Sequence, residues 1–150
     1  MKSYDPKTAA RVWDRVQSTA VPAADAQVIL NLIGEEALDA ATYITLSKRL
    51  PAPLAAAVRQ LAQQEQSHVS CLKGAYTMIT GEKPKFLPVK PADDPPDIVL
   101  RRCYGRKMRA LAQYEARQAD PQYGHVFRTL ARQEQEHCRK ILEILGALQK

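Results

Sequence analysis

Apolar residues recur every three to four positions along most of this chain, the spacing of helices that bury one face. The first stripe, between about residues 22 and 50, reads Ile29, Leu32, Ile33, Ala40, Tyr43, Leu46 and Leu50. A second, from about 53 to 79, carries Leu54, Val58, Leu61, Leu72 and Ile79. The third runs from about 97 to 119 on Leu100, Tyr104, Leu111 and Tyr114, and the fourth from about 120 to 145 on Phe127, Leu130, Ile141 and Ile144. A shorter stretch, about 6–18, places Val12, Trp13 and Val16 on one face and predicts an accessory helix. The breaks are chemical. Pro51, Ala52 and Pro53 end the first long helix, Gly81 stops the second, and Asp120 followed by Pro121 is a capping pair for the last. Residues 81–96 hold five prolines and no helical period, so they predict an extended crossover joining two helical hairpins. The expected architecture is a single all-α domain over residues 1–150, a four-helix bundle.

Composition supports helices and narrows the partners. Only six residues are Gly, and Ala, Leu, Gln, Arg and Glu dominate, which suits long helices. The net charge of +6 raises nucleic acid as a partner, but the basic residues are dispersed. Their densest stretch, Arg101, Arg102, Arg106, Lys107 and Arg109, lies in a helical pattern with no nucleic-acid motif, which argues against that class. No apolar run is long enough to cross a membrane, and charges interrupt the N-terminal stretch, so neither an anchor nor a signal peptide is expected and a cytoplasmic location is. Cys71, Cys103 and Cys138 form no CxxC pair, which predicts reduced, mostly buried thiols.

The two hairpins form an internal repeat. Glu36 is followed seven residues on by Tyr43, then a proline turn, then Glu65, Gln66, Ser67 and His68. Lys107 is followed seven residues on by Tyr114, then a proline turn, then Glu134, Gln135, Glu136 and His137. In a tight antiparallel hairpin both helices advance by about 1.5 Å per residue, so setting Glu36 level with Glu65 fixes every other level. It sets Ile29 against Leu72, Ile33 against His68, Ala40 against Leu61 and Tyr43 against Val58. In the second hairpin, Lys107 level with Glu134 sets Leu100 against Ile141, Tyr104 against His137, Leu111 against Leu130 and Tyr114 against Phe127. Apolar residues meet at nearly every level except the middle one.

That middle level carries the chemistry. Glu65 and His68, and likewise Glu134 and His137, are three residues apart and project from one helical face. In a chain with eight Glu a given His has roughly a one in twenty chance of a Glu three places before it, so two such pairs at equivalent positions argue for design. Carboxylates buried beside imidazoles need a partner, and a divalent cation satisfies both.

On these motifs the chain resembles the ferritin-like di-iron carboxylate proteins, most closely the rubrerythrin branch, over about residues 24–146. The resemblance implies Glu36 as a terminal ligand, Glu65 and Glu134 as bridging ligands, and His68 and His137 as one imidazole for each metal position. It implies iron, with manganese or zinc as alternatives, and an oxidoreductase acting on peroxide, oxygen or ferrous iron. A homodimer is implied by the same resemblance. The paired CxxC motifs of a rubredoxin-like module are absent, so electrons must come from an external donor.

Lys107 stands where the resemblance expects a fourth carboxylate. Three carboxylates and one ammonium leave the charge of one divalent ion, which predicts a single metal, with Lys107 paired to Glu134. Tyr43, Tyr104 and Tyr114 lie near the site; Tyr43 and Tyr114 lean toward it, either to hydrogen-bond its carboxylates or to sit as core tyrosines with their hydroxyls satisfied elsewhere, while Tyr104 is level with His137. A competing reading keeps the bundle but gives it a metal-free role in protein association.

Overall fold

The computed structural model describes Lys7 and residues 23–150; apart from Lys7, the expected accessory helix at residues 6–18 lies outside the described residues. Four long helices follow: α1 Ala23–Ser47, α2 Ala52–Thr80, α3 Pro96–Glu115 and α4 Gly124–Leu148. Pro51 precedes α2, and Gly81 closes it at φ 73°, the left-handed geometry that favours glycine, with its N–H donated to the Thr77 carbonyl. Residues 81–95 carry no regular secondary structure beyond bends.

The α3–α4 connection departs from expectation. Asp120 was expected to cap a helix beginning at Pro121, but α4 begins at Gly124 and α3 ends at Glu115. Asp120 Oδ1 instead accepts the Gln122 and Tyr123 N–H groups at 2.9 and 2.6 Å, closing a turn ahead of the helix. The Gln118 carbonyl then presses on Gly124, where a Cβ would lie 2.4 Å from its oxygen, so only glycine fits.

α1 packs mainly on α2 and α3 mainly on α4, with further α1–α3 and α2–α4 contacts. Two apolar clusters fill the interior. One contains Tyr43, Leu46, Val58, Leu61, Leu100 and Ile141; the other contains Ile29, Ile33, Leu72, Tyr114, Phe127 and Leu130. Every helix contributes to both clusters. Between its two contributions each helix carries charged residues: Glu36 and Asp39 on α1, Glu65 and His68 on α2, Lys107 on α3, Glu134 and His137 on α4, all essentially excluded from solvent. The chain thus sandwiches one polar layer between two apolar ones. Along α1 and α4 the Leu72 cluster comes first, along α2 and α3 the Leu61 cluster, so each hairpin is antiparallel while α2 and α3 run in the same sense. No described helix is long and apolar enough to cross a membrane.

Candidate metal centre

Helical spacing assembles the polar layer. The i, i+3 pairs Glu36–Asp39, Glu65–His68 and Glu134–His137 each face inward from one helix. One donor atom from each of Glu65, His68, Glu134 and His137 lies within 4.8 Å of all the others.

Lys107 sits among the carboxylates. Its Nζ lies 3.0 Å from Glu36 Oε2, 3.0 Å from Asp39 Oδ2, 2.8 Å from Glu65 Oε1 and 3.0 Å from Glu134 Oε2. An ammonium has three hydrogens, so it cannot serve all four acceptors equally. The remainder is visible at two oxygens: among the described residues Glu65 Oε2 has no hydrogen-bond partner, and Glu134 Oε2 accepts no aligned bond despite its proximity to Nζ. Asp39 is also held by Arg106, whose Nε donates to Oδ1 at 2.7 Å.

The two imidazoles form a symmetric pair. Their rings stack with centroids 5.2 Å apart. His68 Nε2 meets Gln133 Oε1 at 2.6 Å, and His137 Nε2 meets Gln64 Oε1 at 2.6 Å. A carboxamide oxygen only accepts, so each Nε2 carries a hydrogen and donates it. That leaves Nδ1 turned toward the carboxylates: His68 Nδ1 is 3.0 Å from Glu134 Oε1, and His137 Nδ1 is 2.8 Å from Glu65 Oε1. Each outer nitrogen is thus tethered to the glutamine preceding the glutamate on the opposite helix, which fixes ring orientation and tautomer.

Electrostatics follow from burial and these contacts. Burial works against the Lys107 ammonium, but Glu65, Asp39 and Glu134 hold its pKa well above the ordinary lysine value. Burial would likewise raise Glu65, yet Lys107 and the two histidines keep it below the usual carboxylate range; at Glu134 burial wins and raises it. His137 is pushed down by burial. Burial also disfavours charge on His68, but hydrogen bonds to Glu134 and Glu65 raise it to about 9.

A folded pKa above the free value stabilises fully below about pH 6.5 and ceases to do so as pH rises through about 9. Chelator-treated protein should therefore lose on the order of 3 kcal/mol between those limits, seen as a falling urea midpoint. His68→Gln should flatten that slope. A level midpoint in the unmutated protein would mean that His68 is neutral throughout.

Of the residues expected from sequence, Glu65, His68, Glu134 and His137 are brought together, with Glu36 and Lys107 beside them. Glu36 is differently engaged from expectation: it is bound by Lys107 and by the Tyr114 hydroxyl, which donates to Oε1 at 3.1 Å, while Oε2 lies 3.3 Å from His68 Nδ1. Lys107 reaches four carboxylates rather than Glu134 alone. Tyr43 is buried, but its hydroxyl has no partner among the described residues. Tyr104 is only partly buried and packs against the Leu61 cluster, away from these contacts. Cys71 is exposed rather than buried, and all three cysteines are free thiols.

Asp39, Arg106, Gln64 and Gln133 were not anticipated. Asp39 stands three residues after Glu36 on the inward face, and a glutamine precedes the glutamate in both Glu-x-x-His motifs; both signals lie in the sequence. The chain matches no protein-family model and no curated protein.

Proposed function

We propose that this chain is a ferritin-like metal-binding bundle, related in design to rubrerythrins, that holds one divalent ion between Glu65, His68, Glu134 and His137. Lys107 takes the place of a second cation. The observation that carries this reading is the donor set itself. Two carboxylates and two inward Nδ1 atoms converge within 4.8 Å, and Glu65 Oε2 is buried there with no hydrogen-bond partner among the described residues. A buried, unpaired carboxylate oxygen is costly, and a cation relieves the cost. Charge gives the same number. Four carboxylates, including Asp39, face two cationic side chains, Lys107 and Arg106; once an ion displaces the His68 Nδ1 proton and both imidazoles are neutral, the remainder equals the charge of one divalent ion.

Chain order supports the ferritin-like part of the reading. Because α2 and α3 run in the same sense, we read residues 81–95 as returning along the bundle, the long connection such folds use. An α1 of 25 residues is about 37 Å long, and an extended segment of that length covers it with slack.

A bound ion would supply Lewis acidity and, as iron or manganese, one-electron exchange with peroxide or oxygen. The protein's own groups do the rest. Gln64 and Gln133 keep both imidazoles oriented, the two apolar clusters restrict water, and Tyr114 with Lys107 fixes Glu36 beside the centre. An oxidoreductase acting on peroxide, oxygen or ferrous iron, fed by an external electron donor, is the activity we infer.

The double variant Glu65→Ala/His68→Ala should abolish stoichiometric binding of manganese(II) and of ferrous iron in equilibrium titration, while its helical circular dichroism persists. Unchanged binding in the folded double variant would show that the ion is held elsewhere.

A further inference from the structure

Between α2 and α4 a cleft of about 330 Å³ opens beside the candidate metal ligand His68. That volume exceeds what a single water needs and falls at the lower end of the range of small-molecule sites, roughly 300–1,000 Å³. Val126 and Leu130 supply apolar wall, and Ser67 and Thr129 supply hydroxyls from facing helices. His68 and Gln133 also line it, joined by their 2.6 Å hydrogen bond. Because Gln133 accepts through Oε1, its amide nitrogen is free to donate, and it has no partner among the described residues. No Asp, Glu, Lys or Arg lines the cleft; of its two histidines, His125 and His68, His68 is already paired through Nδ1 with Glu134, so no unmatched carboxylate, ammonium or guanidinium faces a charged occupant.

We infer that this cleft is the binding site of a small, uncharged organic molecule, which places an apolar body on Val126 and Leu130 and one hydrogen-bonding group toward Gln133 and His68. The inference rests on the metal reading for its functional meaning, since it names the class of organic substrate presented to that centre. Occupancy itself depends only on the cleft. A ligand bonded to the Gln133 amide touches the group that fixes the His68 ring, so binding is transmitted to the candidate ligand through one hydrogen bond.

Cys71 lines the same cleft and is the exposed cysteine of the three, which makes it a reporter. The test uses three molecules of one shape and different charge, benzyl alcohol, benzoate and benzylammonium, on both chelator-treated and manganese-treated full-length chain. Benzyl alcohol, with millimolar affinity, should slow alkylation of Cys71 by iodoacetamide roughly tenfold at ten times its dissociation constant. It should also shift the Gln133 side-chain amide resonance. Neither charged analogue should match it at the same concentration. Thr129→Trp and, independently, Ser67→Trp place a ring in the cleft from exposed positions and should each remove the protection. Ala41→Trp, in a separate groove beside Ile44 and Phe86, should leave it intact.

Absence of protection by benzyl alcohol, equal protection by the charged analogues, or protection that survives both tryptophan variants would overturn the inference. Protection without metal binding would leave the cleft standing and remove the metal reading; metal binding without protection would do the reverse.

Discussion

Replacing Lys107 by methionine should destabilise the chelator-treated protein by about 3–5 kcal/mol, the usual cost of removing one partner from a buried ionic group. The methionine keeps most of the apolar stem and removes only the charge and its donors. Glu36, Asp39, Glu65 and Glu134, all within 3.0 Å of Nζ, would then face one another with only Arg106 and His68 to offset them. Protonation of one carboxylate softens the loss, which is why the lower end of the range is the firmer expectation at mildly acidic pH. A divalent ion should restore most of the stability, because it supplies the positive charge that the variant lacks. Urea unfolding with chelator and with manganese(II) reads both effects. A loss below about 1 kcal/mol, or one indifferent to metal, would remove Lys107 from the position of structural cation.

Lys107→Glu should raise metal capacity from one divalent ion to two. Five carboxylates against Arg106 leave the charge of two such ions, and the repeat then carries a glutamate at the matching position of each hairpin. Tyr43 gives the geometric reason. Its counterpart Tyr114 donates to Glu36, but the residue matching Glu36 in the other hairpin is Lys107, which has no lone pair to offer, and the Tyr43 hydroxyl is left buried without a partner among the described residues. A glutamate at 107 offers Tyr43 an acceptor and the centre a second set of oxygens at once. Manganese titration should show two equivalents per chain, and ferrous iron in the variant should be oxidised faster by peroxide. A single equivalent, or no gain in rate, would mean that the second position is closed for reasons other than Lys107.

Much of this was legible in the sequence because helical periodicity and metal-ligand spacing are local signals. The stripes Ile29–Leu46 and Phe127–Ile144 are buried as their periodicity predicts, and the level pairing sets Glu36 with Glu65 and Lys107 with Glu134 in the middle of each hairpin, where the polar layer lies. Asp39 was missed for a different reason. A lone aspartate in a helix reads as solvated, and its burial depends on Arg106 and Lys107 arriving from α3, a tertiary fact. The start of α4 was misplaced because Asp120 has two local uses, capping a helix or closing a turn, and the close approach of Gln118 to Gly124 selects the turn. Tyr43 and Tyr114 were equivalent as sequence and differ as structure, since the partner of each lies in the other hairpin.

Elemental analysis of the unmutated protein, purified without chelator from metal-replete medium, tests the central claim most directly. One iron, manganese or zinc ion per chain is the expected result, lost on substitution of Glu65 and His68 together. Protein that carries no divalent metal and takes up none on titration, or that holds two per chain with Lys107 in place, would contradict it.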